Sequence, residues 1–175
     1  MLRFQSQEKG KKIMTYVLAL GTNIGNRKEN IDNAVESINL VPKTSVIACS
    51  SIYETEPVGY DEQDDFYNAV VLVESELDPH EMLGVCLGIE AGFGRIRVIK
   101  DGPRVLDIDL IFTEDKVINT KNLVCPHPRY LERRFVLEPL LELFPNGEFF
   151  GNKFLKSAEE IDGQFVRIAD KIDIK

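Results

Sequence analysis

Two aspartates placed two residues apart are the strongest chemical signal in the chain. Asp107 and Asp109 interrupt the aliphatic run of residues 105–112, which is typical of a strand. Because side chains alternate along a strand, both carboxylates share one face, with their backbone positions about 7 Å apart. Such a pair can converge on one or two hard cations, and Mg²⁺ is usually held by one or two carboxylates plus substrate phosphates. The alternative is a half-exposed edge strand whose outer face is acidic.

A basic loop precedes the aspartates. It contains Arg95, Arg97, Lys100 and Arg104, whereas the whole chain has a net charge of −8. An acidic protein that binds an anionic nucleotide must concentrate positive charge locally, and a planar guanidinium suits phosphate oxygens. The stretch therefore predicts a site for a metal and a polyphosphate, while the overall charge argues against nonspecific nucleic-acid binding.

Composition is typical of a globular protein. The 175 residues, of which 43% are hydrophobic and 29% charged, suit one domain. No stretch approaches the roughly 20 apolar residues that span a bilayer. The three cysteines form no C-x-x-C pair, which favours a reducing cytoplasm. Residues 1–13 lack the apolar region of a secretory signal. We expect them to be a disordered leader, followed by a single domain over residues 14–175.

The hydrophobic patterns predict a β-α-β-β-α-β order. The strands are expected at residues 16–20, 45–53, 66–77 and 105–112, and the helices at residues 26–38 and 78–91. A hairpin around residues 113–118, a helix over 134–144 and a short strand at 165–168 follow. This order favours an α+β fold: a ferredoxin-like βαββαβ core with a mainly antiparallel sheet, helices packed on it, an added hairpin and a C-terminal helical section.

A glycine-containing loop joins the first strand to the first helix. Residues 21–26 read GTNIGN and lack both the lysine of a phosphate-binding P-loop and the third glycine of G-x-G-x-x-G. We therefore interpret this loop as a tight turn rather than a phosphate loop.

Several motifs, taken together, resemble the 6-hydroxymethyl-7,8-dihydropterin pyrophosphokinase family. They are GPRVLDIDLI at 102–111, LALGTNIG at 18–25, SIYETEPVGY at 51–60 with Phe66 and Asn68, Ile89–Glu90 with GRIR at 94–97, PHPR at 126–129 and ERRFVL at 132–137. The resemblance covers about residues 16–145. Several motifs in the same order and at compatible spacings are much more specific than two aspartates alone.

The resemblance implies an enzyme that transfers pyrophosphate from ATP to the hydroxymethyl group of a dihydropterin and releases AMP, a step of folate biosynthesis. Asp107 and Asp109 would hold two Mg²⁺ ions and act in catalysis with Arg95 and Arg104. ATP would contact Arg95, Arg97, Arg104, Leu110, Leu123, His127 and Arg133. The pterin would contact Thr55, Pro57, Val58, Phe66, Asn68 and Phe135, with the two phenylalanines stacked on its ring faces. Glu90 matches a family position near the site; the alternative for it is a solvated helix residue.

The chain departs from the family in its basic loop. It has no tryptophan, whereas many relatives carry an aromatic residue just before the glycine at position 102. Two consequences are open: looser closure of this loop over substrate, or partial electrostatic compensation by Lys100.

Other functions were weighed on the same residues. One alternative is a non-catalytic nucleotide- or pterin-binding module on the same fold, and another is a small-molecule-sensing or RNA-binding α+β domain. The acidic balance and the missing aromatic RNA-binding strand motif argue against RNA. The expected partners are ATP and a dihydropterin, without nucleic acid or membrane, in a monomer or weak homodimer.

Overall fold

The computed structural model describes residues 11–94, 101–114 and 117–173. The larger elements in chain order are β1 (Met14–Thr22), α1 (Arg27–Asn39), β2 (Thr44–Cys49), β3 (Ile52–Thr55), β4 (Phe66–Ser75), α2 (Pro79–Gly92), β5 (Asp107–Thr113) and α3 (Arg134–Leu143). Shorter elements are β6 (Ile118–Asn119), β7 (Val124–Cys125), a 3₁₀ turn (Tyr130–Glu132), β8 (Glu148–Phe149), β9 (Asn152–Lys153), α4 (Leu155–Glu160) and β10 (Val166–Asp170). Most of the expected leader lies outside the described residues, so its disorder stays a prediction.

The main sheet has the strand order β10-β3-β4-β1-β5, and β2 also pairs with β4. Each of these pairings is antiparallel. The predicted α+β ferredoxin-like fold with a mainly antiparallel sheet is therefore confirmed. The last short strand is also present, as β10 beside β3.

Helices α1 and α2 form where the sequence predicts them. The apolar stripe of α1, spaced at i, i+3, i+4 and i+7, is buried: Ile31, Ala34, Val35 and Ile38. The Asn26 side chain caps α1 by accepting a hydrogen bond from the Glu29 N–H. Asp78 and Glu81 form a reciprocal capping box at the start of α2. Local sequence signals thus set where both helices begin.

The strand predicted over residues 45–53 is divided in two. It breaks at Ser50–Ser51, between β2 and β3, and the carboxylate of Glu142 on α3 fills the break. This carboxylate accepts hydrogen bonds from the Ser51 N–H (2.9 Å), the Ser51 hydroxyl (3.0 Å) and the Tyr53 hydroxyl (2.7 Å). The partner that satisfies the broken strand comes from a distant helix, so the local sequence pattern did not indicate the break.

Strand β5 starts at Asp107, two residues later than the apolar pattern indicated. Leu110 and Phe112 pair with the consecutive residues Leu18 and Val17, so Ile111 is an extra residue and forms a bulge. The strict alternation that the sequence predicted therefore stops at Leu110. Phe112 instead joins an aromatic cluster with Tyr130, Phe149 and Phe154.

The hairpin predicted just after β5 is wrong in its pairing. The short strand β6 pairs with β7, which lies in a stretch predicted to be a loop, and not with β5. The backbone N–H of His127 donates to the Ile111 carbonyl (2.6 Å), so the chain beyond β7 returns to β5. Strands of two residues are too short for a periodic signal in the sequence.

No helix in the described parts of the chain is long and apolar enough to cross a membrane.

Candidate active site

The sheet register brings the two aspartates beside the expected ring-binding residues. Gly21 on β1 pairs with Asp107 on one side and with Asn68 of β4 on the other. Ala19 of β1 pairs with Asp109. Residues paired across an antiparallel sheet point to the same face. One face of β5, β1 and β4 therefore carries both carboxylates and the Asn68 amide.

A cleft that is partly open to solvent covers this face. The residues that line the cleft include nine of those predicted from the sequence: Thr55, Val58, Phe66, Asn68, Arg104, Asp107, Asp109, Arg133 and Phe135. The remaining lining residues are Ala19, Leu20, Gly21, Glu56, Asp101 and Arg129. Five segments that are distant in sequence thus meet at one cavity. The structure brings most of the predicted site residues together.

Each aspartate is paired with an arginine. Arg104 Nη1 lies 2.7 Å from Asp107 Oδ2, and Arg133 Nη1 lies 3.2 Å from Asp109 Oδ2. Burial raises the pKa of Asp109, and the neighbouring charge of Asp107 raises it further, against the opposing effect of His127 and the arginines. Among the described residues, the buried Nε of Arg104 has no hydrogen-bond partner. The site therefore has a donor available for a bound anion.

His127 lies at the edge of this charged group. Its Nε2 is 4.0 Å from Asp109 Oδ2, and its Nδ1 accepts a hydrogen bond from the Arg129 backbone N–H (3.1 Å). Burial lowers the pKa of His127, although Asp109 opposes this effect. The imidazole is therefore neutral at pH 7, and because Nδ1 accepts a hydrogen bond, the proton is on Nε2.

The side of the cleft that is expected to bind the ring contains two phenylalanines and an amide. Phe66 and Phe135 lie on its walls, and Asn68 donates to the Thr55 hydroxyl (2.7 Å). A Cβ atom on Gly21 would lie 2.8 Å from Asn68 Oδ1, which is too close. Glycine at this position therefore makes room for the Asn68 amide. Arg104 lies 5.2 Å from the Phe66 ring centroid, so the charged and aromatic groups are contiguous.

Some predicted residues do not line the cleft. Pro57, His127, Leu110 and Leu123 are outside its wall, and the two leucines are buried. Leu110 lies on the opposite side of β5 from Asp109 by alternation. The predicted Arg95, Arg97 and Lys100 lie outside the described residues.

Glu90 is buried rather than solvated, which makes the alternative reading of it wrong. Its side chain is 3% exposed, and Oε1 accepts a hydrogen bond from the Ile108 N–H at 2.7 Å. Ile108 lies between the two aspartates on the edge strand of the sheet. Glu90 thus binds the backbone at the position from which both carboxylates project. Of the other cleft residues that the sequence did not single out, all except Asp101 lie inside motifs already quoted.

The residues present fit a divalent cation whose coordination is completed by substrate oxygens. Within the described ranges, no group of three or more His, Cys, Asp or Glu side chains is placed to hold a metal ion. Two carboxylates on one face, next to arginines, match the way Mg²⁺ is bound through few protein oxygens and substrate phosphates. An all-protein cage of the kind typical of structural zinc would need more ligands.

Comparison with known proteins gives consistent results. Residues 17–145 match the family described as 7,8-dihydro-6-hydroxymethylpterin-pyrophosphokinase (HPPK). The chain is 41% identical over 145 residues to the 2-amino-4-hydroxy-6-hydroxymethyldihydropteridine pyrophosphokinase of Methylorubrum extorquens, covering 83% of this chain and 92% of that protein. It is 42% identical over 126 residues to the Bacillus subtilis protein of the same name, covering 72% of this chain and 75% of that one.

Solved structures share the fold. A Plasmodium falciparum HPPK-DHPS structure with pterin and p-hydroxybenzoate superposes with a TM-score of 0.62 at 18% identity, over 87% of this chain and 44% of that one. Another HPPK-DHPS structure in complex with substrates gives a TM-score of 0.64 at 16% identity, over 83% of this chain and 43% of that one. The chain thus spans less than half the length of these structures. With the sequence matches, the family is shown: the chain belongs to the 7,8-dihydro-6-hydroxymethylpterin-pyrophosphokinases.

Proposed function

We propose that the chain catalyses Mg²⁺-dependent transfer of pyrophosphate from ATP to the hydroxymethyl group of 6-hydroxymethyl-7,8-dihydropterin, releasing AMP. The observation that carries the proposal is the position of Asp107 and Asp109 in one cleft with Asn68, next to Arg104 and Arg133. Membership of the pyrophosphokinase family supports the reaction class. An intact pair of carboxylates with their arginines favours an enzyme over a binding module.

The ring end of the cleft would select the pterin. Phe66 and Phe135 would contact its two faces. The Asn68 amide can donate and accept, which suits the alternating donors and acceptors of a pterin edge. Its Nδ2 already donates to Thr55 Oγ1, so the Oδ1 acceptor faces Gly21 and the cleft. Thr55 and Val58, with Pro57 behind them, would complete this end.

The phosphate end would hold ATP and stabilise the charge that moves during transfer. The hydroxymethyl oxygen would attack the β-phosphorus and lose its proton to solvent, the bond from that phosphorus to the α–β bridging oxygen would break, and AMP would leave with the electron pair. Mg²⁺ held by Asp107 and Asp109 would neutralise the phosphate oxygens and bring the two substrates together. Arg104 and Arg133 are placed to neutralise the same oxygens.

Five further residues have supporting roles. Neutral His127, with its proton on Nε2, can donate a hydrogen bond to a phosphate or ribose oxygen without adding charge. Arg95 and Arg97 are proposed, from the family resemblance alone, to bind phosphate. Leu110 and Leu123 would support the nucleotide from behind the cleft wall.

The cellular setting is part of the proposal. The three cysteines are free thiols, which suits a reducing cytoplasm. We propose that the protein acts as a monomer or weak homodimer on ATP and the dihydropterin, without nucleic acid or membrane partners.

Product analysis tests the reaction. The protein is incubated with ATP, Mg²⁺ and the dihydropterin, and nucleotides are separated by chromatography. We expect AMP in a 1:1 ratio to pterin diphosphate, and the Asp107→Asn and Asp109→Asn variants to lose more than about tenfold of this activity. The control is Asp162→Asn, which changes an exposed aspartate in the C-terminal region. Formation of ADP instead of AMP, or full activity in either site variant, would contradict the proposal.

A further inference from the structure

Asn23, in the loop interpreted as a tight turn, lies where three loops meet. Its backbone N–H donates to the Arg104 carbonyl (3.1 Å), and its Oδ1 accepts from the Arg104 N–H (2.9 Å). Its Nδ2 donates to Gln63 Oε1 and to the Asp64 carbonyl, both at 2.9 Å. Asn23 is only 4% exposed. One buried residue therefore joins the Arg104 backbone to the loop between β3 and β4.

Gln63 extends the junction on the other side. Its Nε2 donates to the Tyr60 carbonyl (2.7 Å) and to the Asp101 carbonyl (2.9 Å). We call residues 56–65 the ring loop, because Val58 and Glu56 line the ring end of the cleft, and residues 101–106 the arginine segment. Asn23 and Gln63, which are hydrogen-bonded to each other, thus form one bridge between the ring loop and the arginine segment.

The chemistry of the junction requires an amide at position 23. Its oxygen accepts from the arginine segment while its nitrogen donates to the ring loop, so both ends of the side chain are used. An aspartate could keep the first contact but could not donate to Gln63 or Asp64. A buried carbonyl or amide that loses its partner carries a desolvation cost. Asn23 in this loop therefore holds the backbone of the arginine segment and of the ring loop.

We propose that Asn23 is a positioning residue that couples the ring loop to Arg104, so that pterin binding and correct placement of the Arg104 guanidinium favour each other. The inference rests on the proposed function, because it assigns the ring to one loop and the phosphates to Arg104. Asn23 contacts neither substrate in this account. Its effect passes through the backbone of Arg104 and through the ring loop.

The coupling can be measured at equilibrium without turnover. The probe is fluorescent 6-hydroxymethylpterin, titrated with and without Mg²⁺ and α,β-methylene-ATP, in which the bond to be broken is blocked. The ratio of the two Kd values is the coupling between the substrates. We expect the unaltered protein to bind the pterin more tightly when nucleotide is present. We expect Asn23→Asp to reduce this ratio by about tenfold, the size of one or two lost buried hydrogen bonds.

Two further variants separate positioning from a general loss of structure. Gln63→Ala should reduce the ratio similarly, and the Asn23→Asp/Gln63→Ala double variant should show little additional loss because both act on one bridge. Asn26→Ala, in the same loop, removes the cap of α1 and should lower the melting temperature while leaving the ratio unchanged.

The outcomes are distinct. A coupling ratio of one in the unaltered protein, or an unchanged ratio in a folded Asn23→Asp variant, overturns the inference. An equal reduction in Asn26→Ala also overturns it, because the effect would then follow stability alone. Failure of the proposed function would be seen separately, as absence of AMP formation by the unaltered protein.

Discussion

At the scale of single residues, the charged carboxylate of Asp109 lowers the stability of the folded state. Burial and the neighbouring charge of Asp107 raise the pKa of the Asp109 carboxyl above its ordinary value of 3.8. The folded state therefore binds the Asp109 proton more tightly than the unfolded state does. The cost of the charged form is fully present above the folded pKa and disappears as the pH falls through that value to below 3.8.

This cost predicts that Asp109→Asn is more stable than the unaltered protein when metal and nucleotide are absent. In EDTA at pH 7, we expect a melting temperature higher by a few degrees, a typical shift for about 1 kcal/mol. The difference should shrink as the pH is lowered towards 3.8. Thermal unfolding across pH 4–7 measures it, with Asp162→Asn as the control. A lower melting temperature at pH 7 would mean that the Arg133 ion pair outweighs the burial cost.

Arg104 gives a second prediction at this scale. Because its proposed role is on charge that develops in the transition state, Arg104→Ala should slow the chemical step by about 10²–10³-fold. Arg104→Lys keeps the charge but loses the planar fork, so it should restore only part of the rate. Single-turnover quench-flow measures the step directly. An unchanged single-turnover rate with weaker pterin binding would show that Arg104 contributes to binding the ring and does not stabilise charge on the phosphates.

Motif residues could be predicted from sequence, but residues acting through tertiary contacts could not. The positions of Asp107, Asn68 and Phe135 in ordered motifs predicted their shared cleft. The contact of Glu90 with the Ile108 N–H and the closeness of Gly21 to Asn68 depend on helix placement and strand register. A single sequence does not contain that information in local patterns.

At the scale of elements, α3 is tied to the sheet by one carboxylate. Glu142 accepts hydrogen bonds from Ser51 in the break and from Tyr53 on β3, while Phe135 on the same helix lines the cleft. The hydrogen bonds from Ser51 and Tyr53 therefore connect the sheet to a wall of the ring pocket. Removing the Glu142 carboxylate should therefore lower both the stability of the protein and its affinity for the pterin.

We predict that Glu142→Ala lowers the free energy of unfolding by about 1–3 kcal/mol, because the Ser51 N–H and the Tyr53 hydroxyl lose their hydrogen-bond acceptor. Pterin affinity should fall by a few-fold as Phe135 loses its fixed position. Urea unfolding and fluorescence titration measure the two effects. Glu159→Ala on α4 is the control and should change neither. A stable variant with unaltered affinity would show that α3 is held by its apolar contacts alone.

The sequence predicted the helices and strands that have a periodic apolar pattern, but it did not predict the breaks and bulges within strands. Strands β1 and β4 and helices α1 and α2 follow from apolar spacing and caps. The break at Ser50–Ser51 and the bulge at Ile111 depend on partners far along the chain. The pairing of β6 with β7 involves two residues on each side, too few for a pattern.

At the scale of the whole molecule, an acidic chain places three arginines beside the two aspartates in one cleft. The net charge is −8, yet Arg104, Arg129 and Arg133 all line the cavity with the two aspartates. Because Glu56, Asp101, Asp107 and Asp109 also line the cleft, a polyanion would need a divalent cation as well as these arginines to be attracted there. The fold contributes by placing the edge strand β5 and the loops after β1 and β3 on one side of the sheet.

We propose that the two carboxylates of β5 bind nucleotide through Mg²⁺. Isothermal titration of α,β-methylene-ATP, with Mg²⁺ and with EDTA, tests it most directly. We predict that Mg²⁺ strengthens binding to the unaltered protein and to Asp162→Asn, and that this dependence is lost in a folded Asp107→Asn/Asp109→Asn variant. The same Mg²⁺ dependence in the double variant as in the unaltered protein would contradict the account.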